Sequence, residues 1–354
     1  MPLDTIYLTR HGHRLNWTID YNTGAYRAQF PTPTGNPADP TLTSHGVRQS
    51  HELAAHIASP GFQPKPFRVY CSPFYRCLQT IQPTVEALKA KQQQQQQQQH
   101  EESSDIDACA DFDVRVENGI GRYTADLEIQ GNGSAQPPSS NIPPPATPPT
   151  LHTHFPSILP SDPSKHKPHL IPSPRGETIA QLHDRLATAL AGIIADVDAE
   201  IAALEESQRP DQRTSKALLI CSHAAPLIAM GRALTGAMPD DSSTEDFFVF
   251  TAGLSTFRRR GNKVGTAGVG VEALAPGTKI LRAETKVPDW RGGKGVGGGW
   301  DCVKNGDCGF LSSGAERGWH FNGEESFDTG PMAPPSEVPT SPQDTSAEKV
   351  GHKL

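Results

Sequence analysis

Three short apolar runs, residues 6–8, 69–71 and 217–221, end in polar side chains: Thr9-Arg10-His11-Gly12, Ser72-Pro73 and Ser222-His223. Runs of this length read as buried strands, and the helical sequence between them predicts a layered α/β sheet. The first run continues Tyr7-Leu8-Thr9-Arg10-His11-Gly12-His13-Arg14, so a strand delivers imidazole and guanidinium groups at its end. In an open sheet the carboxyl ends of parallel strands share one crevice. His11 and His223 can therefore meet although they are far apart in the chain.

The helices are legible from spacing. Thr43 is an expected N-cap for a helix carrying Leu53, Ala54, Ile57 and Ala58 on one face, stopped by Pro60, Gly61, Pro64 and Pro66. A second helix follows Ser72-Pro73 and carries Arg76, Leu78, Ile81 and Val85. Leu182, Leu186, Ala189, Leu190, Ile193, Ile194, Val197, Ile201 and Leu204 keep helical spacing over a long amphipathic segment. Another apolar helix is expected from Pro226 to Leu234, and residues 247–250 and 254–258 read as edge strands. Between the first strand and the first helix, a long irregular loop is expected as far as Pro40.

The chain has 354 residues, room for two domains or one enlarged one. Only 35% of them are apolar, with 33 Pro and 32 Gly, which suggests a globular part diluted by disordered sequence. The diluting tracts are identifiable. A glutamine run fills residues 92–99, Pro-Pro steps punctuate residues 131–174, residues 292–299 are glycine-rich, and the tail from residue 331 is polar. Little fixed structure is expected for residues 131–174, flexibility for 292–299 and disorder for the tail.

A net charge of −7 argues against a protein that coats nucleic acid, and no sequence-specific nucleic-acid binding is expected. The six cysteines form no CxxC pair and read as reduced thiols. Neither a signal peptide nor a membrane-crossing apolar run is read, so no membrane partner is expected and the location is nucleus, cytoplasm or both.

Arg10, His11, Arg14, Arg76 and His223 all sit at or just after a predicted strand end. Guanidiniums neutralise phosphoryl oxygens bidentately, a neutral imidazole can attack phosphorus, and a second imidazole can stabilise the transferring charge. This inventory suits phosphoryl transfer.

With these residues the sequence resembles the histidine phosphatase superfamily, the phosphoglycerate mutase-like group. The resemblance rests on Thr9-Arg10-His11-Gly12, Leu42-Thr43 with Gly46 and Gln49, Cys71-Ser72-Pro73 with Arg76 and Gln79-Thr80, Arg175-Gly176-Glu177-Thr178, and Leu219-Ile220-Cys221-Ser222-His223, all in the family's order. It implies a three-layer α/β/α sandwich around a mostly parallel sheet. It also implies that His11 is the phosphorylated nucleophile, that Arg10, Arg14, Arg76 and His223 bind the phosphate, and that neither metal nor cofactor takes part. Arg14, three residues after His11, is similar to the phosphotyrosine-type branch. The substrate would be a phosphorylated small molecule or a phosphoprotein.

The sequence departs from the family at the proton donor. Arg122 stands where a glutamate is expected, and an arginine cannot act as a general acid near neutral pH. Glu117 and Asp126 flank it as candidates, Glu117 being the catalytic acid expected here, while Arg122 itself would add a fourth cation. A second resemblance covers Trp300-Asp301-Cys302, Asn305-Gly306-Asp307-Cys308, Phe310-Leu311-Ser312 and Glu316-Arg317-Gly318-Trp319-His320-Phe321. It is similar to a C-terminal segment associated with a subunit of the RNA polymerase III factor TFIIIC, which makes TFIIIC subunits candidate partners and scaffolding an alternative function. The expected organisation is a phosphatase-like domain over residues 1–290 with insertions near 91–110 and 131–174, a partner-binding or fold-completing segment over 291–330, and a tail over 331–354.

Overall fold

The computed structural model describes residues 3–20, 25–97, 105–122, 143–261 and 274–321. In chain order these give β1 (Thr5–Arg10), β2 (Trp17–Asp20), β3 (Ala25–Ala28), α1 (Ser44–Ala58), β4 (Pro66–Cys71), α2 (Tyr75–Gln97), β5 (Arg115–Val116), α3 (Pro148–His154), β6 (Leu170–Ile171), α4 (Ile179–Glu206), β7 (Ala217–Ser222), α5 (Ala224–Thr235), β8 (Leu254–Arg259), β9 (Lys279–Ile280) and β10 (Trp300–Asp307). The main sheet has the order β10-β8-β1-β7-β4-β5. Strands β1, β7, β4 and β5 run parallel, and β8 and β10 extend the sheet through antiparallel pairing. The fold is the expected α/β class, a mostly parallel sheet layered with helices.

Strands β1, β4 and β7 are buried along their whole length. Continuous burial is what a central parallel strand covered on both faces requires, and it explains why these runs show no polar alternation. Helix α1 packs with α2, and α4 with α5. Their apolar faces join the strands in one core that includes Leu53, Ile81, Leu186, Ile193, Ile220 and Leu234.

Register places the chemistry. Arg10 of β1 lies opposite Ser222 of β7, and Cys71 of β4 lies opposite Cys221. The next residues out, His11, His223 and Ser72, leave the sheet at the same edge. Backbone bonds seal it: His11 N–H donates to Ser222 O at 3.0 Å and Ser72 N–H to Cys221 O at 3.0 Å.

The expected cap at Thr43 is present, and α4 has one of its own. Thr43 accepts from Gly46 N at the start of α1, and Thr178 forms a capping box with Gln181 at the start of α4. Gly46 is required for a steric reason, because a Cβ there would collide with the His13 carbonyl. A Cβ on Gly12 would in turn come within 2.8 Å of Gly46 O. The start of α1 is thus pressed backbone to backbone against the loop that follows His11.

Several expectations need correction. The loop before Pro40 contains the β2–β3 hairpin. Residues 247–250 form no strand, and β8 is flanked by β10, which becomes the sheet edge. Described residues 143–174, expected to carry little fixed structure, hold α3 and β6 and bury Leu151, Phe155, Ile158 and Leu170, enough apolar surface to dock the segment on the core. Glycines 292–299 are a tight turn, not a slack one: most have positive φ, and a Cβ on Gly295 would strike the Leu234 carbonyl. Trp300 opens β10 and is itself fully buried, so this part of the C-terminal segment completes the sheet. Helix α2 continues through the glutamine run to Gln97. Residues 98–104, Asp126 with the rest of 123–142, and the tail lie outside the described residues.

Replacing Gly46 by Ala is expected to destabilise the protein by about 1–3 kcal/mol through overpacking. The thermal unfolding midpoint reads this directly, and an unchanged midpoint would contradict the contact.

Candidate active site

His11 is buried at the end of β1, with its Nδ1 2.8 Å from the Gly12 carbonyl. A carbonyl only accepts, so Nδ1 carries the proton and Nε2 keeps its lone pair. Burial, then the guanidiniums of Arg76, Arg10 and Arg14, hold this imidazole well below its ordinary range. The group is therefore neutral near pH 7. Its ring centroid lies 5.3 Å from that of His223.

His223 begins α5, where its Nδ1 accepts from Arg76 Nη2 at 3.1 Å. That contact leaves the proton on Nε2, which donates to Ser72 Oγ at 2.8 Å. Burial and the charges of Arg76, Arg122 and Arg14, together with His11, keep His223 neutral too. Beneath it, Cys77 Sγ lies 3.6 Å from Nε2, and burial pushes this thiol well above its usual range, so it packs as a neutral group.

The arginines arrive from three elements. Arg10 Nη1 donates to Val249 O at 2.8 Å and to Arg317 O at 2.5 Å. Arg14 Nη1 donates to Leu15 O at 2.9 Å, and its guanidinium stacks 3.7 Å from the Trp17 ring centroid. Arg76, in the first turn of α2, reaches Ala38 O at 3.0 Å and Asp39 Oδ1 at 3.2 Å besides His223. Burial raises the Asp39 carboxyl and Arg76 opposes that rise. Arg122 lies 5.5 Å from the same Trp17 ring, so one indole gathers Arg14, Arg76 and Arg122.

The structure thus brings Arg10, His11, Arg14, Arg76 and His223 together. It treats Glu117 differently. Glu117 is fully buried, its Oε1 accepting from Gly119 N–H at 2.8 Å and its Oε2 from His169 N–H at 2.9 Å. Both oxygens are occupied in capping the 118–120 turn and fixing the chain near β6. Each oxygen of the carboxylate expected to act as the acid thus accepts one backbone N–H.

The remaining motif residues build the walls. Thr80 Oγ1 accepts from Gly12 N–H at 3.0 Å, Gln49 Oε1 from His13 N–H at 2.9 Å and Gln79 Oε1 from Leu42 N–H at 2.8 Å. Glu177 binds Arg185 through both oxygens, and Arg185 Nη1 donates to Gly119 O at 2.5 Å, fixing the turn that precedes Arg122. Trp17, Asp39 and Arg317 escaped sequence reasoning. Trp17 opens the short strand β2, while Asp39 and Arg317 lie in loops, and none of the three stands in a periodic pattern.

Two neutral imidazoles and converging guanidiniums stand at the carboxyl edge of a parallel sheet, and residues 6–105 match the family model for the histidine phosphatase superfamily (branch 1). The chain is similar to the transcription factor tau 55 kDa subunit of Saccharomyces cerevisiae, 26% identical over 327 residues that cover 91% of this chain. The chain spans 59% of the length of that relative. Among solved structures, the chain is similar to the ecdysone phosphate phosphatase of Bombix mori (TM-score 0.47, 15% identity, 76% of this chain and 98% of the other). It is also similar to the phosphoglycerate mutase of Bacillus anthracis str. Sterne (TM-score 0.40, 13% identity, 92% of this chain and 98% of the other). No helix of the described residues is long and apolar enough to cross a membrane, and no cluster of candidate metal ligands occurs among them.

Acidification should destabilise the fold. His11 and His223 are held neutral, and His183, buried against Trp290, is lowered to about 4. Once unfolded, these imidazoles take up protons below pH ~6.5 while the folded forms stay neutral. The unfolded state then binds more protons, so stability falls as the pH drops, by at most about 1.4 kcal/mol per unit for each histidine. Urea unfolding between pH 7.5 and 5 checks this, and a flat profile would refute it.

Proposed function

We propose that this chain binds phosphoryl groups among Arg10, Arg14, Arg76 and His223 and hydrolyses phosphomonoesters, without a metal, through a phosphohistidine on His11. The observation that carries the reading is the His11 tautomer: Nδ1 donates to the Gly12 carbonyl, so Nε2 is the free nucleophile beside three buried guanidiniums. Nε2 attacks phosphorus, the ester oxygen leaves with the bonding pair, and water then cleaves the N–P bond. The guanidiniums offset charge on the phosphoryl oxygens throughout.

The leaving oxygen needs a proton. Glu117 is committed to backbone amides and Arg122 cannot supply one, so we assign protonation to solvent and infer slow turnover, about 10²- to 10⁴-fold below an enzyme with a placed acid. Arg122 strengthens anion binding instead, since its charge falls on the same pocket. The substrate is a phosphorylated small molecule or a phosphoprotein.

A second reading is favoured by the similarity to the tau 55 kDa subunit along 91% of the chain. In it the domain serves as a weakly active or inactive scaffold that joins other TFIIIC subunits in RNA polymerase III transcription, in the nucleus. The two readings are compatible, because a phosphate pocket can persist inside an assembly subunit.

The purified chain should hydrolyse p-nitrophenyl phosphate slowly, and His11→Ala should fall to the buffer background. Equal rates for the two proteins would dispose of the enzymatic reading. Affinity purification of the full chain should recover TFIIIC subunits, and their absence where that complex survives would remove the scaffold reading.

A further inference from the structure

Among the described residues, the non-glycine positions with positive φ are Ala252 (φ 55°) and Arg317 (φ 50°). Both are bonded to Arg10. Ala252 N–H donates to Arg10 O at 3.2 Å, while Arg10 Nη1 donates to Arg317 O at 2.5 Å. A left-handed backbone at a residue with a side chain is unfavourable and persists only where surrounding contacts hold it, most often at functional sites.

Several contacts hold the segment that precedes Arg317. Ser312 N–H and Oγ donate to the Glu52 carboxylate at 3.2 and 2.6 Å. Thr251 N–H donates to Glu316 O at 3.1 Å, and Glu316 Oε2 accepts from Gln49 Nε2 at 3.0 Å and faces His45 Nε2 at 2.5 Å. Gln49 in turn accepts from His13 N–H, two residues beyond His11. A circuit therefore runs from the loop after His11, through α1, to residues 312–317 and back to the guanidinium of Arg10.

We propose that residues 312–317 form a strap that positions Arg10, so that the oxyanion affinity of the pocket depends on the backbone at Glu316 and Arg317. The inference rests on the reading of this site as a phosphoryl pocket. Arg317 meets Arg10 through its carbonyl, with the residue held at φ 50°. The strap belongs to the C-terminal segment, so whatever engages that segment also adjusts the pocket.

The test compares Arg317→Val with Arg317→Gly in the full chain. Both remove the guanidinium, but valine resists positive φ and glycine accepts it. Calorimetric titration with orthovanadate should show Arg317→Val binding about tenfold more weakly than Arg317→Gly, at a temperature where both are folded. Equal affinities would overturn the strap. If Arg317→Val fails to fold, Glu316→Ala replaces it: a severalfold weaker affinity for orthovanadate supports the proposal and an unchanged one overturns it. A wild-type chain that does not bind orthovanadate would overturn the pocket reading and the strap with it, whereas wild-type binding with equal variants removes only the strap.

Discussion

A buried guanidinium cannot shed its charge, so each arginine drawn into this site has to be met by dipoles, rings or a carboxylate. That requirement organises the surroundings. Arg10 is met by the carbonyls of Val249 and Arg317, Arg14 by a carbonyl and the Trp17 face, and Arg76 by Ala38 O and Asp39. The same positive environment, with burial, keeps both histidines neutral, which is the state a nucleophilic imidazole needs. Breaking one such contact leaves a charge stranded in low dielectric, a change generally worth several kcal/mol.

The sheet and its site were legible from sequence where the signal was local. The runs that became β1, β4 and β7 are apolar because both faces are covered, and the polar residues that end them leave the sheet at one edge because the parallel register is flush. His11, His223 and Arg76 could therefore be placed together without coordinates. The cap at Thr43 was equally readable, since capping needs only a short polar side chain and a helical pattern after it.

What escaped was long-range. Proline density in residues 143–174 suggested chain entropy would win, yet Leu151, Phe155 and Ile158 find a core to enter, a tertiary gain that composition does not report. Trp17 carries no motif and matters because three guanidiniums converge on it from separate elements. Glu117 shows the same limit: its place near Arg122 suggested chemistry, and only the fold reveals that Gly119 N–H and His169 N–H each donate to one of its oxygens. Position along a chain locates a side chain; only geometry shows which donors have already claimed it.

Helix α2 carries Arg76 in its first turn and runs without a break into the glutamine run, ending in the description at Gln97. Its 23 residues extend about 34 Å. The end that carries Arg76 is anchored in the core, whereas the glutamines lie at the opposite end. A change in the length of the tract would therefore act at the end of α2 remote from the turn that carries Arg76.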